Sequence, residues 1–329
     1  MSELSFKDFA SDQEVRWCPG CGDYSILKGV QRALADGGSI PEKTVFVSGI
    51  GCSSRLPYYL NTYGFHTIHG RAPAFATGIK LANPELEVWV ITGDGDGLSI
   101  GGNHLLHTLR RNVNLNILLF NNEIYGLTKG QYSPTSRPGT ISPTSPNGSV
   151  ERPLAPGQFA IGAGATFFAR CVDTDQKIMP VLFNEAKNHK GTSFVEILQN
   201  CIVYNKDVFD DVVAKKTAAD TQIHVRHGEP LVYGKDADKG LRLNTSTLAL
   251  ETITLTDPGV SIDDVLVHDE TNPTLALLLA NLEGPTAMGV ILRIDQPVFD
   301  TSYWAARPHK RRANVQQLLR TGDLLDRRV

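Results

Sequence analysis

Acidic and amide side chains set among glycines are the first chemistry this chain offers. Gly93-Asp94-Gly95-Asp96 follows the apolar, β-branched run 86–92, and Asn121-Asn122 follows a second apolar run, 115–120. In a parallel sheet, the carboxyl ends of such strands open onto one crevice, where ligands bind. Magnesium takes hard oxygen ligands in octahedral geometry and usually leaves several positions to phosphate and water. Asp94 can offer it a carboxylate, Asn122 an amide oxygen and Ile124 a backbone carbonyl. The glycines let phosphate oxygens approach the backbone, and the start of the following helix favours negative charge. An Asp-Gly pair alone reads as a tight turn. Two strand ends carrying this pair of clusters are more specific, and a magnesium-bound diphosphate fits them.

Thiols form the second set. Cys18 and Cys21 lie in Cys-Pro-Gly-Cys-Gly, Cys52 follows the run 44–48, and Cys201 follows the run 194–198. Four thiolates suit a [4Fe–4S] cluster or a tetrahedral zinc. Spacing does not separate the two, although zinc sites often repeat the C-x2-C knuckle and only one is present. Cys171, in the apolar run 166–171, reads as a core thiol. Arg55 and Lys129 are cations close in sequence to these groups, arginine able to grip a carboxylate as a fork and lysine as a point charge. Arg71, in His-Gly-Arg, fits a phosphate contact or a subunit interface equally well.

The elements that must position these groups alternate. Strand-like runs at 44–48, 86–92, 115–120 and 194–198 are separated by helix candidates at 24–35, 72–82, 103–111 and 177–188. Short runs without polar alternation suit strands buried on both faces, so the expectation is a doubly wound α/β domain with a mainly parallel sheet. Residues 133–158 hold six prolines (134, 138, 143, 146, 153 and 156) among many Ser and Thr. A loop this long inside a domain is usually functional or interfacial. The organisation expected is a core domain over 1–205 and an irregular C-terminal arm over 206–329, at a subunit interface and ending in a basic helical tail near 310–320. No internal repeat is visible.

Composition sets the outer limits. The 329 residues carry a net charge of −3, with 41% hydrophobic and 20% charged, as in an average globular protein. Nothing suggests a nucleic-acid surface. Residues 1–10 lack the layout of a signal peptide, and the apolar stretch 274–294, broken by Asn281, Glu283, Gly284 and Pro285, reads as buried or interfacial and not as a membrane span. Five cysteines are too few and irregular for a secreted disulfide framework, so a cytoplasmic location is expected.

The spacing of the two clusters is similar to that of thiamine-diphosphate enzymes. With the strings WCPGCGDY, GIGCSSRLP and IYGLTKGQYSPTS in that order, residues 15–205 resemble the small (β) subunit of the 2-oxoacid:ferredoxin oxidoreductases. The string GLTKGQ resembles the 2-oxoglutarate branch. The resemblance implies the diphosphate half of a thiamine-diphosphate-binding fold. It implies Mg2+ on Asp94, Asn122 and the Ile124 carbonyl. Ile50, Gly51, Cys52, Ser53, His69, Gly70, Gly93, Gly95, Asp96, Gly126, Leu127 and Thr128 would then lie beside thiamine diphosphate. Cys18, Cys21, Cys52 and Cys201 would hold one [4Fe–4S] cluster. The implied reaction is coenzyme A-dependent oxidative decarboxylation of 2-oxoglutarate with electrons passing to ferredoxin. A larger α subunit would supply the pyrimidine-binding domain and a catalytic glutamate, in a dimer of heterodimers. Three readings compete: a pyruvate or broad-specificity oxidoreductase, a cluster-free thiamine carboligase or decarboxylase, and a regulatory module holding zinc or a cluster.

Overall fold

In a computed structural model, which describes residues 4–214, 216–307 and 320, the apolar runs become strands. In chain order they are β1 (Thr44–Ser48), β2 (Tyr63–His66), β3 (Glu87–Gly93) and β4 (Asn116–Asn121). A short hairpin of β5 (Ile124–Tyr125) and β6 (Gln131–Tyr132) follows, then β7 (Phe167–Val172), β8 (Ser193–Leu198), β9 (Gln222–Val225), β10 (Val232–Tyr233), β11 (Lys239–Asn244), β12 (Ala249–Thr254) and β13 (Thr286–Arg293). The helices are α1 (Asp23–Asp36), α2 (Ala72–Ala82), α3 (Gly102–Arg111), α4 (Pro156–Gly162) and α5 (Ile178–Asn188). After them come α6 (Asp210–Val213), α7 (Ala218–Thr221), α8 (Pro273–Ala280) and α9 (Phe299–Ala305). A π-helical turn, Asp96–Ile100, joins β3 to α3 through Gly101.

Eight strands form one sheet in the order β2-β1-β3-β4-β8-β7-β13-β9. Every pair is parallel except β13 against β7. Because side chains alternate across a strand, the sheet has two apolar faces. Val45, Val47, Val88, Val90, Ile117 and Leu119 pack with Ala72 and Ala76 of α2 and Leu105 and Leu109 of α3. Phe46, Trp89, Ile91, Leu118 and Phe120 pack on the other face with Ile26, Val30 and Leu34 of α1 and Met179 and Phe183 of α5. Helices on both faces of a mainly parallel sheet are the doubly wound architecture expected from the alternation. The loops after β1, β3, β4 and β8 therefore leave the same edge of the sheet.

Residues beyond 205 differ from the irregular arm expected. β9 and β13 complete the same sheet, and β10, β11 and β12 form a separate antiparallel sheet. The signal was weak because these strands are short or half-exposed, and β13 is interrupted by Gly289 and a register shift between Val290 and Leu292. The apolar stretch 274–294 divides into α8, capped by Asn272 Oδ1 accepting from Thr274 and Leu275 N–H, and β13. No helix among the described residues is long and apolar enough to cross a membrane. The basic tail expected near 310–320 lies outside the described residues, Arg320 apart. β2 went unread because Tyr-Gly-Phe-His carries no apolar run and stands exposed at the sheet edge.

Candidate active site

Four loops enclose a narrow cleft. From β1 come Ile50, Gly51, Cys52 and Ser53; from the loop before α2, His69; from β3, Gly93, Asp94, Gly95 and Asp96. β4 and its hairpin give Asn122, Ile124, Gly126, Leu127 and Thr128. Every residue expected beside the cofactor lines this cleft except Gly70, which reaches it indirectly by donating its N–H to Asp96 Oδ1 (2.9 Å).

Asp94 is buried, and burial pushes its carboxyl up to about 6; hydrogen bonds from Ser133, Thr135 and backbone N–H groups offset this only in part, and no cation does. Thr135 Oγ1 lies 2.8 Å from Asp94 Oδ2 and 3.1 Å from Asn121 Oδ1. The start of the proline-rich loop thus folds under the acidic turn, and Ser136 anchors it by donating to the Glu123 carbonyl. Asn122 Oδ1 accepts from Ile124 N–H (3.2 Å), which fixes the amide's direction. Asn205 Nδ2 donates to the Asn122 carbonyl (3.0 Å).

Asp96 has a different part from Asp94. Its Oδ1 accepts from Ile50 N–H (3.1 Å) and Gly70 N–H and lies 3.0 Å from His69 Nδ1, while its Oδ2 accepts from Thr92 Oγ1 (2.7 Å). The carboxylate ties the β1 and His69 loops to β3 and is left no free face for a metal. With Nδ1 turned to Asp96, His69 can donate elsewhere only through a protonated Nε2. Gly95 has a packing reason beyond phosphate approach: a Cβ there would stand 2.4 Å from the Tyr125 ring, whose hydroxyl donates to the Gly95 carbonyl (2.8 Å).

A second cavity adjoins the first, lined by Cys18, Cys21, Cys52 and Cys201. The four thiols are free, Cys18 exposed and the others half-buried. Asp23, Cys52, Asn122, Gly126, Leu127 and Gln199 line both cavities. A Cβ at Gly126 would meet Cys201 Sγ at 3.5 Å and Cys52 Sγ at 3.7 Å. Burial pushes the Cys52 thiol up to about 11, reinforced by Asp23 and Cys201 and opposed by Arg55. Burial, then Asp23, raises Cys21 as well. Trp17 Nε1 donates to the Cys52 carbonyl (2.7 Å) and holds that loop in place. Among the described residues, no three His, Cys, Asp or Glu side chains are grouped as ligands of a single metal ion. Cys171 is buried in the core beneath α5, as expected.

Arg55 and Lys129 line the thiol cavity and not the cleft beside Asp94. Arg55 lies within the 3-10 turn Ser53–Tyr59, and its Nη1 donates to the Arg16 carbonyl (2.6 Å). Lys129, with φ 77°, sits exposed in the turn closing the β5–β6 hairpin. Arg71 contacts His104 on α3, outside both cavities. The sequence reading missed Asp23, Tyr125, Thr135 and Gln199. Asp23 and Gln199 each stand two positions from a thiol, which was the available signal.

Residues 49–197 match the family described as thiamine pyrophosphate enzyme, C-terminal TPP binding domain. The chain is 51% identical over 300 residues to 2-oxoglutarate oxidoreductase subunit KorB of Mycobacterium tuberculosis, a match covering 89% of this chain and 79% of that one. It is 46% identical over 190 residues to 2-oxoglutarate synthase subunit KorB of Archaeoglobus fulgidus, covering 58% and 71%. A solved structure, 2-oxoglutarate:ferredoxin oxidoreductase from Magnetococcus marinus with 2-oxoglutarate, coenzyme A and succinyl-CoA bound, matches with a TM-score of 0.76 at 35% identity. That match covers 93% of this chain and 90% of that one.

Proposed function

The chain belongs to the β subunits of the 2-oxoacid:ferredoxin oxidoreductases, and from that premise we propose that, with a larger α subunit, it converts 2-oxoglutarate and coenzyme A to succinyl-CoA and carbon dioxide. Electrons leave through a [4Fe–4S] cluster to ferredoxin. The observation that carries this reading is the wall common to the two cavities, in which Cys52 belongs at once to the Asp94 cleft and to the thiol set.

The residues fit the absent groups. A buried carboxylate with no cation beside it, next to an oriented amide and a backbone carbonyl, is a donor set for Mg2+. Asp94, Asn122 and the Ile124 carbonyl would hold that ion, with the Gly93–Gly95 turn against the diphosphate. Four thiols lining one cavity are a donor set for a polynuclear cluster or for zinc, and the family resemblance favours the cluster. Thiamine diphosphate supplies a carbon nucleophile and an electron sink when bound, and the cluster takes up electrons singly. The chain's own work is positional. Asp96 locks the loops carrying Ile50 and His69 against β3, and Thr135 aims Asp94. Leu127 and Ile50 cover the cleft, and Lys129 and Arg55 are the groups offered to the substrate's second carboxylate.

The α subunit would bring the glutamate that activates the thiamine ring. We place the complex in the cytoplasm as a dimer of heterodimers, with residues 206–329 contributing to subunit contacts. Anaerobic purification of the chain with and without its partner tests the reading. The complex is expected to contain iron, acid-labile sulfide and thiamine diphosphate and to reduce ferredoxin with 2-oxoglutarate, whereas the single chain is inactive. Turnover by the single chain would refute the split site, and a complex without sulfide would favour a cluster-free thiamine enzyme. The pyruvate reading draws on the placement of Arg55 and Lys129 away from the Asp94 cleft. A higher kcat/KM for pyruvate than for 2-oxoglutarate would establish it.

A further inference from the structure

Gln199 immediately follows β8, and its backbone N–H donates to the Asn121 carbonyl (3.0 Å), so its position is set by the strand that also presents Asn122. The side chain is 1% exposed and stands in the wall between the two cavities. Its Nε2 lies 2.8 Å from Asp23 Oδ1 and 3.6 Å from Cys21 Sγ. An amide nitrogen has two hydrogens, so both bonds form at once. Asp23, fixed at the first turn of α1 and itself buried, clamps one N–H and aims the other at the sulfur. A buried amide is costly unless its donors are used, and an apolar residue would fill the same space without that requirement.

We infer that Gln199 sets the reduction equilibrium of the thiol-held cluster by donating its side-chain amide to Cys21 Sγ. The inference rests on the cluster reading of the four thiols. A hydrogen bond to a ligating sulfur stabilises the more negative, reduced state, and bonds to the sulfurs are among the determinants of cluster potential. Asp23 and Gln199 both stand in the wall between the two cavities. Gln199 acts here through its contact with the sulfur.

The test is a redox titration, followed by electron paramagnetic resonance, of the complete enzyme with its α subunit. It compares wild type with Gln199→Met, which keeps length and loses the donor, and with Gln199→Asn, which keeps the amide and shortens its reach. Both variants are expected to titrate at lower potential. A tenfold loss in the reduction equilibrium corresponds to about 59 mV for one electron. Midpoints that coincide with wild type in variants of full iron and sulfide content would overturn the inference. Loss of the cluster in both variants would also overturn it, by giving Gln199 an assembly role. Iron and sulfide absent from the wild-type complex is a separate result, which sinks the cluster reading itself.

Discussion

At the scale of single residues, the site is organised by hydrogen bonds whose donors lie far off in sequence. Thr135 supports Asp94 across a span of 41 positions, and groups that orient a metal ligand typically contribute 10–100-fold to affinity. Thr135→Val is therefore expected to weaken Mg2+-dependent thiamine diphosphate binding by about 10–100-fold, read by titration calorimetry, with the far-ultraviolet spectrum unchanged. Asp94→Asn should lose the cofactor more completely. Lys129 is exposed, so its pairing with a substrate carboxylate is worth less than a buried contact. Lys129→Leu is expected to lower kcat/KM for 2-oxoglutarate by roughly two- to fivefold and to leave pyruvate kinetics little changed. Equal losses on both substrates would remove Lys129 from the carboxylate role.

Among elements, the decisive contacts run between loops and not within them. The β5–β6 hairpin brings Gly126 against two thiols, where a Cβ would already be in van der Waals contact with both sulfurs and a branched side chain would crowd them. Gly126→Val should yield folded protein with much less iron per chain by colorimetric assay; full iron content would show that the turn does not abut the cluster. Helix α5 ends at His189, whose Nε2 lies 2.8 Å from Thr166 Oγ1. Thr166 donates in turn to Asn112 Oδ1 (2.7 Å), so His189 is the donor in its pair. Burial, then Arg293, pushes its pKa down to about 4, below the value near 6.5 of an unfolded chain. The unfolded state binds the extra proton between those values, so stability rises with pH across the window and is lost as pH falls from about 6.5 to 4. His189→Gln should flatten the acid limb of the unfolding-midpoint profile relative to wild type; parallel profiles would assign the acid loss elsewhere.

The whole molecule is knit together behind the site by a buried chain of polar groups. Asn121 Nδ2 donates to Glu196 Oε1 (2.8 Å), and Arg170 Nε to Glu196 Oε2 (2.8 Å). The pair sits between β7 and β8, beside β13. Removing one member of a buried pair strands the other's charge, at about 3–5 kcal/mol. Arg170→Met should lower unfolding stability by about that amount in a denaturant titration. The sheet also predicts the fate of a shortened protein. A chain ending at residue 205 leaves β7, buried along its whole length, as an open edge, and such edges aggregate. It should be recovered insoluble, and a soluble, cooperatively folding fragment would mean that the expected boundary near 205 marks an independent unit.

The sequence alone determined the alternation of strands and helices, because runs buried on both faces leave no polar interruption to misread, and β1 is placed at 44–48 with β3, β4, β7 and β8 within one residue of their ends. It also determined which residues meet: Asp94, Asn122 and Cys52 each follow a strand, and parallel strands bring such ends to one edge. Tertiary structure alone decided what each group does there. Asp96 is spent on tying loops, Arg55 turns toward Arg16, and β9 and β13 join the sheet across a sequence gap that no local pattern spans. These outcomes depend on which backbone groups and thiols lie within bonding distance in space, and chain order carries no record of that distance.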